Sequence, residues 1–295
     1  MEIEKKKVLI TEPIDDKGIE LLKEHGYEIV MGTGIDKKTV IKEATGCQAI
    51  LTRNAHIDGE IMDSIPGLKV ISMHGVGVDC IDVDAATQRG IQVTNAAKSN
   101  QSAVAEYTIG LILMLAKKSV DYNNGLKTGN MEVTLGRAII NRTKMTGLKT
   151  GNMEVRKELG HNVAGKILGI IGMGNIGTQV AKMAYFGLNM NVIGYSRHIE
   201  DIEKREYATL YRDMDYIIKN ADYLSLHLPG TKSTRHLIGK RELELMKSTA
   251  YLINTGRGEV IDEQALIDIL KNGSIKGAAL DVFEGNLPKS NNPLL

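Results

Sequence analysis

Residues 166–184 read KILGIIGMGNIGTQVAKMA and join a β-branched run, a glycine-rich turn and a helical pattern. The turn, Gly172–Gly177, has the sequence GxGxxG, with a strand pattern before it and a helix pattern after it. In that context the first glycine permits a tight turn, the second lets the backbone approach a pyrophosphate, and the third lets helix and strand pack closely. The stretch predicts a dinucleotide site built by Gly172, Gly174, Asn175, Ile176 and Gly177. A glycine-rich turn without a ligand is the alternative.

The second strand of this unit, Asn191–Tyr195, runs into Ser196 and Arg197, where NAD-binding units carry an acidic residue for the ribose 2′-hydroxyl. A hydroxyl beside a guanidinium can bind a 2′-phosphate through charge-assisted hydrogen bonds, whereas a carboxylate would repel it. The pattern predicts NAD(P) as the cofactor and favours NADP. The alternative is that Arg197 is a solvated loop residue.

Similar units extend in both directions along the chain. Towards the amino terminus, the strand patterns Lys7–Ile10 and Ala49–Thr52 alternate with amphipathic helical patterns. Towards the carboxyl terminus, Tyr223–Leu226, Tyr251–Asn254 and Gly277–Leu280 continue the alternation. Because strands joined by single helices pair in parallel, we expect an α/β fold with two doubly wound parallel-sheet domains.

The longest helical candidate is Ser102–Lys118, which is apolar on nearly all sides. A helix of that kind is expected to be buried. Glu106 lies inside it, so we expect its carboxylate to be buried and paired. We place the domain boundary just before this helix, near residue 100.

Composition excludes several classes of protein. The 295 residues are 42% hydrophobic and 25% charged with a net charge of +1, which is typical of a soluble globular protein and gives no basic field for nucleic acid or membranes. Its cysteines, Cys47 and Cys80, belong to no CxxC or Cys/His cluster, so we expect no metal site and a cytoplasmic location. The longest apolar run, residues 109–116, is too short to span a bilayer.

One segment is repeated letter for letter: Gly125–Val133 recurs as Gly147–Val155. Two copies are too few for a solenoid. We expect residues 134–155 to be a duplicated insert in a surface connection, which proteins tolerate well. A repeated recognition loop is the alternative.

Six motifs occur in the order found in one family. Over nearly all 295 residues the chain resembles the D-isomer-specific 2-hydroxyacid dehydrogenases, of the phosphoglycerate dehydrogenase and hydroxypyruvate reductase kind. The motifs are Gly75–Asp82, Asn100–Glu106, Gly172–Gly177, His227–Thr231, Asn254–Gly258 and Asp281–Glu284.

The resemblance implies both an architecture and a reaction. Residues 1–100 would form a flavodoxin-like substrate domain, residues 101–286 a Rossmann NAD(P)-binding domain, and residues 287–295 a stub of the return to the substrate domain. The reaction would be hydride transfer between nicotinamide and C2 of a small D-2-hydroxy acid or 2-oxo acid. Members of the family are commonly homodimers, and we expect the same here.

The resemblance also implies roles for individual residues. The backbone N–H groups of Val76 and Gly77 would bind the substrate carboxylate, in agreement with the anion nests that glycine-flanked amides form. Arg257 would grip the carboxylate and polarise the keto oxygen. Thr255 and Asp281 would contact the cofactor. The alternatives are an ordinary turn at the first loop, a solvated Arg257 and a surface capping role for Asp281.

A possible further substrate contact follows the predicted strand Ala49–Thr52. Arg53 and Asn54 could reach a phosphate or hydroxyl at the distal end of a substrate, and a solvated loop is equally compatible with the pattern.

The chain departs from the family at two catalytic positions. The family's catalytic Glu stands five residues after the Asp of the DVF motif, where this chain has Asn286, and Glu284 is the candidate to replace it. No histidine follows Asp281, so the family's Pro-His pair has no counterpart. His74, which precedes the carboxylate loop, is the better substitute by position, whereas a structural role is expected for His227. These departures leave two alternatives to an active enzyme, namely a dinucleotide-binding regulatory or scaffold protein and a truncated copy of an enzyme.

Overall fold

The computed structural model describes residues 6–127, 160–285, 288 and 290–295. The chain divides into two compact units, Met1–Asn100 and Gln101–Leu295. The insert expected at residues 134–155, and Asn286, lie outside the described residues. Among the described residues no helix is long and apolar enough to cross a membrane, and no cluster of His, Cys, Asp or Glu could hold a metal ion.

The first unit is a parallel sheet with the strand order β2-β1-β3-β4-β5. Its strands are β1 (Lys7–Ile10), β2 (Glu28–Met31), β3 (Ala49–Thr52), β4 (Val70–Met73) and β5 (Gln92–Asn95). The helices between them are α1 (Asp16–Glu24), α2 (Lys37–Glu43), α3 (Gly59–Asp63) and α4 (Val83–Gln88). This is the flavodoxin-like doubly wound order, so the fold expected for this segment is confirmed.

Capping and burial explain why these segments adopt this fold. All of these helices begin at an aspartate whose carboxylate accepts a backbone N–H of the first turn, an interaction worth about 1 kcal/mol each; the caps are Asp15, Asp36, Asp58 and Asp82. Leu9, Ile50 and Ile71 of the central strands are almost fully buried and form one apolar core with the helices. The sheet therefore presents the ends of β1, β3 and β4 on a rigid support.

The second unit holds a sheet with the order β12-β11-β10-β6-β7-β9-β8. Its strands are β6 (Ile167–Ile171), β7 (Asn191–Tyr195), β8 (Ile202–Arg205), β9 (Ala208–Tyr211), β10 (Tyr223–Leu226), β11 (Tyr251–Asn254) and β12 (Gly277–Leu280). Without β8 this is the Rossmann order 3-2-1-4-5-6, which confirms the expected fold. Only the pair β8 and β9 is antiparallel within the described strands of this sheet, and the sequence reasoning did not predict it.

The helices of the second unit cover both faces of its sheet. They are α5 (Gln101–Lys117), α6 (Ser119–Lys127), α7 (Asn175–Lys182), α8 (Met214–Asn220), α9 (Lys240–Glu244) and α10 (Glu263–Lys271). A π-helical turn, Met183–Gly187, continues α7, and a 3-10 turn, Gly258–Val260, precedes α10.

Helix α5 is buried on one side only. Ala105, Ile112 and Ala116 are fully buried against the core, whereas Tyr107 and Met114 are 48% and 42% exposed. Glu106 is also exposed, so its expected burial was wrong. One residue advances a helix by about 100°, which turns Glu106 away from the face that carries Ala105.

Candidate functional site

The three motif glycines meet three different steric requirements. Gly172 has φ 105°, and a Cβ there would lie 2.5 Å from the His227 carbonyl oxygen. A Cβ on Gly177 would lie 2.2 Å from the Gly172 carbonyl oxygen, so α7 could not pack against the turn. At Gly174 nothing lies within 4 Å of a Cβ position. The first and third glycines shape the turn, and the second faces open space that a ligand can enter.

The amino terminus of α7 is built to receive an anion. Its cap residue, Gly174, has no side chain to bind the first-turn N–H groups, and the first turn contains no acidic residue. The N–H groups of Asn175, Ile176 and Gly177 belong to that turn, where the helix dipole is positive. A pyrophosphate fits this arrangement.

His227 follows β10 beside this turn. Its backbone N–H donates to the Ile171 carbonyl at 2.9 Å, and its Nε2 lies 2.9 Å from Ser225 Oγ. Its Nδ1 is buried and has no hydrogen-bond partner among the described residues. Burial lowers the pKa of the ring to about 4, so His227 is uncharged at neutral pH and is a poor proton donor. An unpaired buried nitrogen costs about 1–3 kcal/mol.

The end of β7 carries the residues expected to select the nucleotide. Ser196 donates its backbone N–H to the Tyr211 carbonyl at 3.0 Å, and its Oγ accepts the His198 N–H at 3.3 Å. Arg197 is exposed and forms no ion pair within the described residues. Tyr195 and Tyr211 are register partners, so exposed Arg212 follows β9 alongside Ser196. This second arginine is not predicted from the sequence, because only strand register places it beside Ser196.

The loop that bears Arg257 is organised by a buried amide. Asn254 is fully buried; its Nδ2 donates to the Arg257 carbonyl at 2.9 Å and its Oδ1 accepts the Gly256 N–H at 3.0 Å. The Arg257 guanidinium is half-buried and donates to the Gly256 carbonyl at 3.0 Å. The sequence reasoning gave Asn254 no role, although a polar residue ending an apolar strand was a visible signal.

Thr255 contributes to packing in the same loop. It is buried, and its Oγ1 lies 2.9 Å from Thr108 Oγ1 of α5. The contact of Thr255 with a cofactor stays a prediction. Its hydroxyl group already forms the hydrogen bond with Thr108.

Residues 281–284 lie against the Arg257 loop. Asp281 donates its backbone N–H to the Asn254 carbonyl at 3.0 Å, and a Cβ on Gly258 would lie 2.0 Å from the Phe283 carbonyl. Asp281 is exposed. The Glu284 Oε1 accepts hydrogen bonds from Arg235 at 2.6 Å and His236 at 2.9 Å. The carboxylate of Glu284 is therefore held in an ion pair, and its catalytic role stays a prediction.

The first unit places its candidate residues at the carboxyl ends of neighbouring strands. Val76 and Gly77 are half-buried in the loop after β4, where the Asn95 side chain donates to the Val76 carbonyl at 2.5 Å. Arg53 follows β3 with an exposed side chain, and its backbone N–H donates to Glu12 Oε2 at 3.0 Å.

Glu12, at the end of β1, organises the loop after β3. It also accepts the Asn54 backbone N–H at 2.9 Å and the Asn54 side chain at 2.7 Å. Burial of Glu12 opposes ionisation, but hydrogen bonds from Asn54, Thr11 and Arg53 outweigh it and lower the pKa of the carboxyl. The Asn54 side chain is thus engaged within the unit.

Comparison with known proteins adds the family context. The model of the D-isomer specific 2-hydroxyacid dehydrogenase NAD binding domain matches residues 109–295. A D-3-phosphoglycerate dehydrogenase of Archaeoglobus fulgidus is 35% identical over 290 residues, which cover 98% of this chain and 51% of that protein. The chain thus spans about half the length of this relative. A glyoxylate reductase of Thermococcus gammatolerans is 36% identical, with 95% of this chain and 80% of that protein covered.

A solved structure agrees with the fold. The acyclic imino acid reductase Bsp5, in complex with NADPH and D-Arg, superimposes with a TM-score of 0.82 at 26% identity, covering 98% of this chain and 85% of that one.

Proposed function

Because the chain belongs to the D-isomer specific 2-hydroxyacid dehydrogenase family, we propose that it transfers a hydride between NAD(P) and C2 of a small D-2-hydroxy or 2-oxo acid. The observation that carries the proposal is the turn at Gly172–Gly177, whose middle glycine faces open space at the uncapped start of α7. A dinucleotide held there supplies or accepts the hydride when bound.

The residues of this chain would position and polarise the substrate. Val76 and Gly77 would bind its carboxylate through backbone N–H groups, and Arg53 would contact its distal end. Arg257 would polarise the keto oxygen, with its loop held by Asn254. We assign Glu284 the carboxylate role in proton transfer. Enzymes of this family act on CH–OH groups. Membership of the family therefore favours hydride transfer over the alternative of a non-catalytic dinucleotide-binding protein.

We infer that NADP is the preferred nucleotide. The support is a pair of exposed arginines beside Ser196 at the end of β7: Arg197 follows it in sequence, and Arg212 lies alongside it by strand register. The comparisons support NAD(P) as the cofactor, since the matched domain is described as NAD binding and the neighbour Bsp5 was solved with NADPH.

We also propose a cytoplasmic homodimer. Within the described residues neither Cys47 nor Cys80 belongs to a disulfide, which suits a reducing compartment. Tyr107 and Met114 lie one heptad apart on α5 and expose apolar surface that a second copy would cover. Light scattering tests the dimer: a monomer mass for the wild type would contradict it.

The activity itself is tested by oxidation of NADPH with a panel of 2-oxo acids, including glyoxylate and hydroxypyruvate. Arg257→Gln is expected to lower kcat/KM about 10²- to 10³-fold, because it removes a donor that acts on developing charge. Dinucleotide affinity should stay unchanged in this variant. An Arg257→Gln protein as active as the wild type would contradict the assignment.

A further inference from the structure

A cavity lies in the second unit, at the end of the sheet where the parallel strands begin, opposite the glycine-rich turn. It has a volume of about 260 Å³ and is lined by residues that precede or begin neighbouring parallel strands. Lys166 precedes β6, Tyr223 begins β10, Tyr251 begins β11 and Lys276 precedes β12. Parallel strands all begin at one end of the sheet, and nucleotides bind at the other end, beyond the carboxyl ends of the strands. The cavity is therefore separate from the dinucleotide site.

Three aromatic rings form one wall of this cavity. The Tyr251 ring is nearly parallel to those of His161 and Tyr223, with centroids 6.2 Å and 5.4 Å away. His161 Nε2 lies 2.6 Å from the Tyr223 hydroxyl. Burial raises the pKa of both tyrosines, so their hydroxyls stay protonated and able to donate. The wall is flat, and polar at its edge.

The charges around the cavity are mainly positive. Among the described residues, Lys118, Lys166 and Lys276 line it together with the Asp222 carboxylate, and the Asp121 carboxylate acts on Tyr251 from nearby. The Asp222 carboxylate is already engaged, because it accepts from Lys247 Nζ and from the Ile167 backbone N–H, both at 2.9 Å. Within the described residues neither Lys166 nor Lys276 forms an ion pair.

The imidazole of His161 responds to this field. Burial is the main cause that lowers its pKa, and Lys166 and Lys117 lower it further. The ring is therefore neutral at neutral pH, which leaves the ammonium groups as the charges facing the cavity. An anion placed among them would favour the imidazolium form and raise the pKa of His161.

We propose that this cavity binds the phosphate or carboxylate group of a small anionic ligand, between Lys118, Lys166 and Lys276 and against the wall of His161, Tyr223 and Tyr251. Ammonium groups bind phosphate as point charges. The ligand class is a small oxyanion, and its site lies apart from the residues assigned to hydride transfer.

The test is NMR titration of the histidine side chains with inorganic phosphate at constant ionic strength. Saturating NADPH is present so that the dinucleotide site is filled, and His161→Gln assigns the resonance. We expect phosphate to raise the pKa of His161 in a saturable manner. Acetate or malonate in a parallel titration distinguishes a carboxylate ligand from a phosphate ligand.

Charge-matched variants test the lysines. Lys166→Met and Lys276→Met are each expected to weaken phosphate binding about fivefold, as for loss of one partly screened ion pair. Lys204 lies on β8, the outer strand on the far side of the sheet from β12. Lys204→Met removes the same charge and should leave the affinity for phosphate unchanged. A His161 resonance that does not respond, a response equal to that of chloride, or equal weakening by Lys204→Met would overturn the proposal.

Discussion

The side chain of Asn254 donates to the backbone carbonyl of Arg257 at 2.9 Å, three residues along the chain. The same side chain accepts the Gly256 N–H, so both of its polar ends are used within one loop. Because Asn254 is fully buried at the end of β11, the loop is attached to the rigid part of the sheet. The position of Arg257 thus depends on an amide that would not touch the substrate.

Asn254→Ala is expected to lower kcat with little change in dinucleotide affinity. The loop loses two hydrogen bonds, and a displacement of about 1 Å can cost about 10²-fold in rate. Steady-state kinetics with NADPH, together with fluorescence titration of the nucleotide, measure both quantities. Asn272→Ala, at the exposed end of α10, is the matched control. Wild-type kcat in the Asn254 variant would show that the loop holds Arg257 by other means.

NADPH is expected to bind more tightly than NADH. Arg197→Ala and Arg212→Ala should each weaken NADPH about five- to tenfold and leave NADH almost unchanged, since only NADPH carries the 2′-phosphate. Ser196→Asp should reverse the preference, because a carboxylate repels that phosphate. Fluorescence titration gives the affinities, with Lys204→Ala as the charge control. Equal affinities in the wild type would refute this prediction.

Deletion of residues 134–155 is expected to leave a folded protein with unchanged cofactor affinity. One copy of the repeated segment suffices to join the flanking elements, and the closure entropy of a connection changes by only about 0.6 kcal/mol for each twofold change in its length. Thermal melting and NADPH titration of the deletion variant check the prediction. Loss of expression, or a large fall in melting temperature, would mean that the segment belongs to the core.

The sequence predicts well those features whose physical cause lies within a few neighbouring residues. The GxGxxG turn is an example, because each glycine answers a steric requirement within a few residues, as Gly172 and Gly177 do. The central strands were found for a similar reason: β6 and β11 are short apolar runs bounded by turns. Helix α5 was also located within one residue at each end.

Other features depend on the arrangement of the chain in space. Strand β8, with the sequence IEKR, has no apolar pattern and forms only because β9 offers a partner edge. Strand register alone places Arg212 alongside Ser196. The error at Glu106 has the same origin, because average hydrophobicity does not show which side of α5 meets the core.

Dinucleotide affinity of Gly174→Ala tests the central claim most directly. The open space around Gly174 means that the added methyl group should not disturb the fold, but it would occupy the path of the pyrophosphate. We expect at least about tenfold weaker NADPH binding with only a small fall in melting temperature, because alanine is a poorer helix cap than glycine. Gly110→Ala in α5, where nothing lies within 4 Å of the added carbon either, should bind NADPH as the wild type does. Unchanged NADPH affinity in Gly174→Ala would contradict the assignment of this turn as the dinucleotide site.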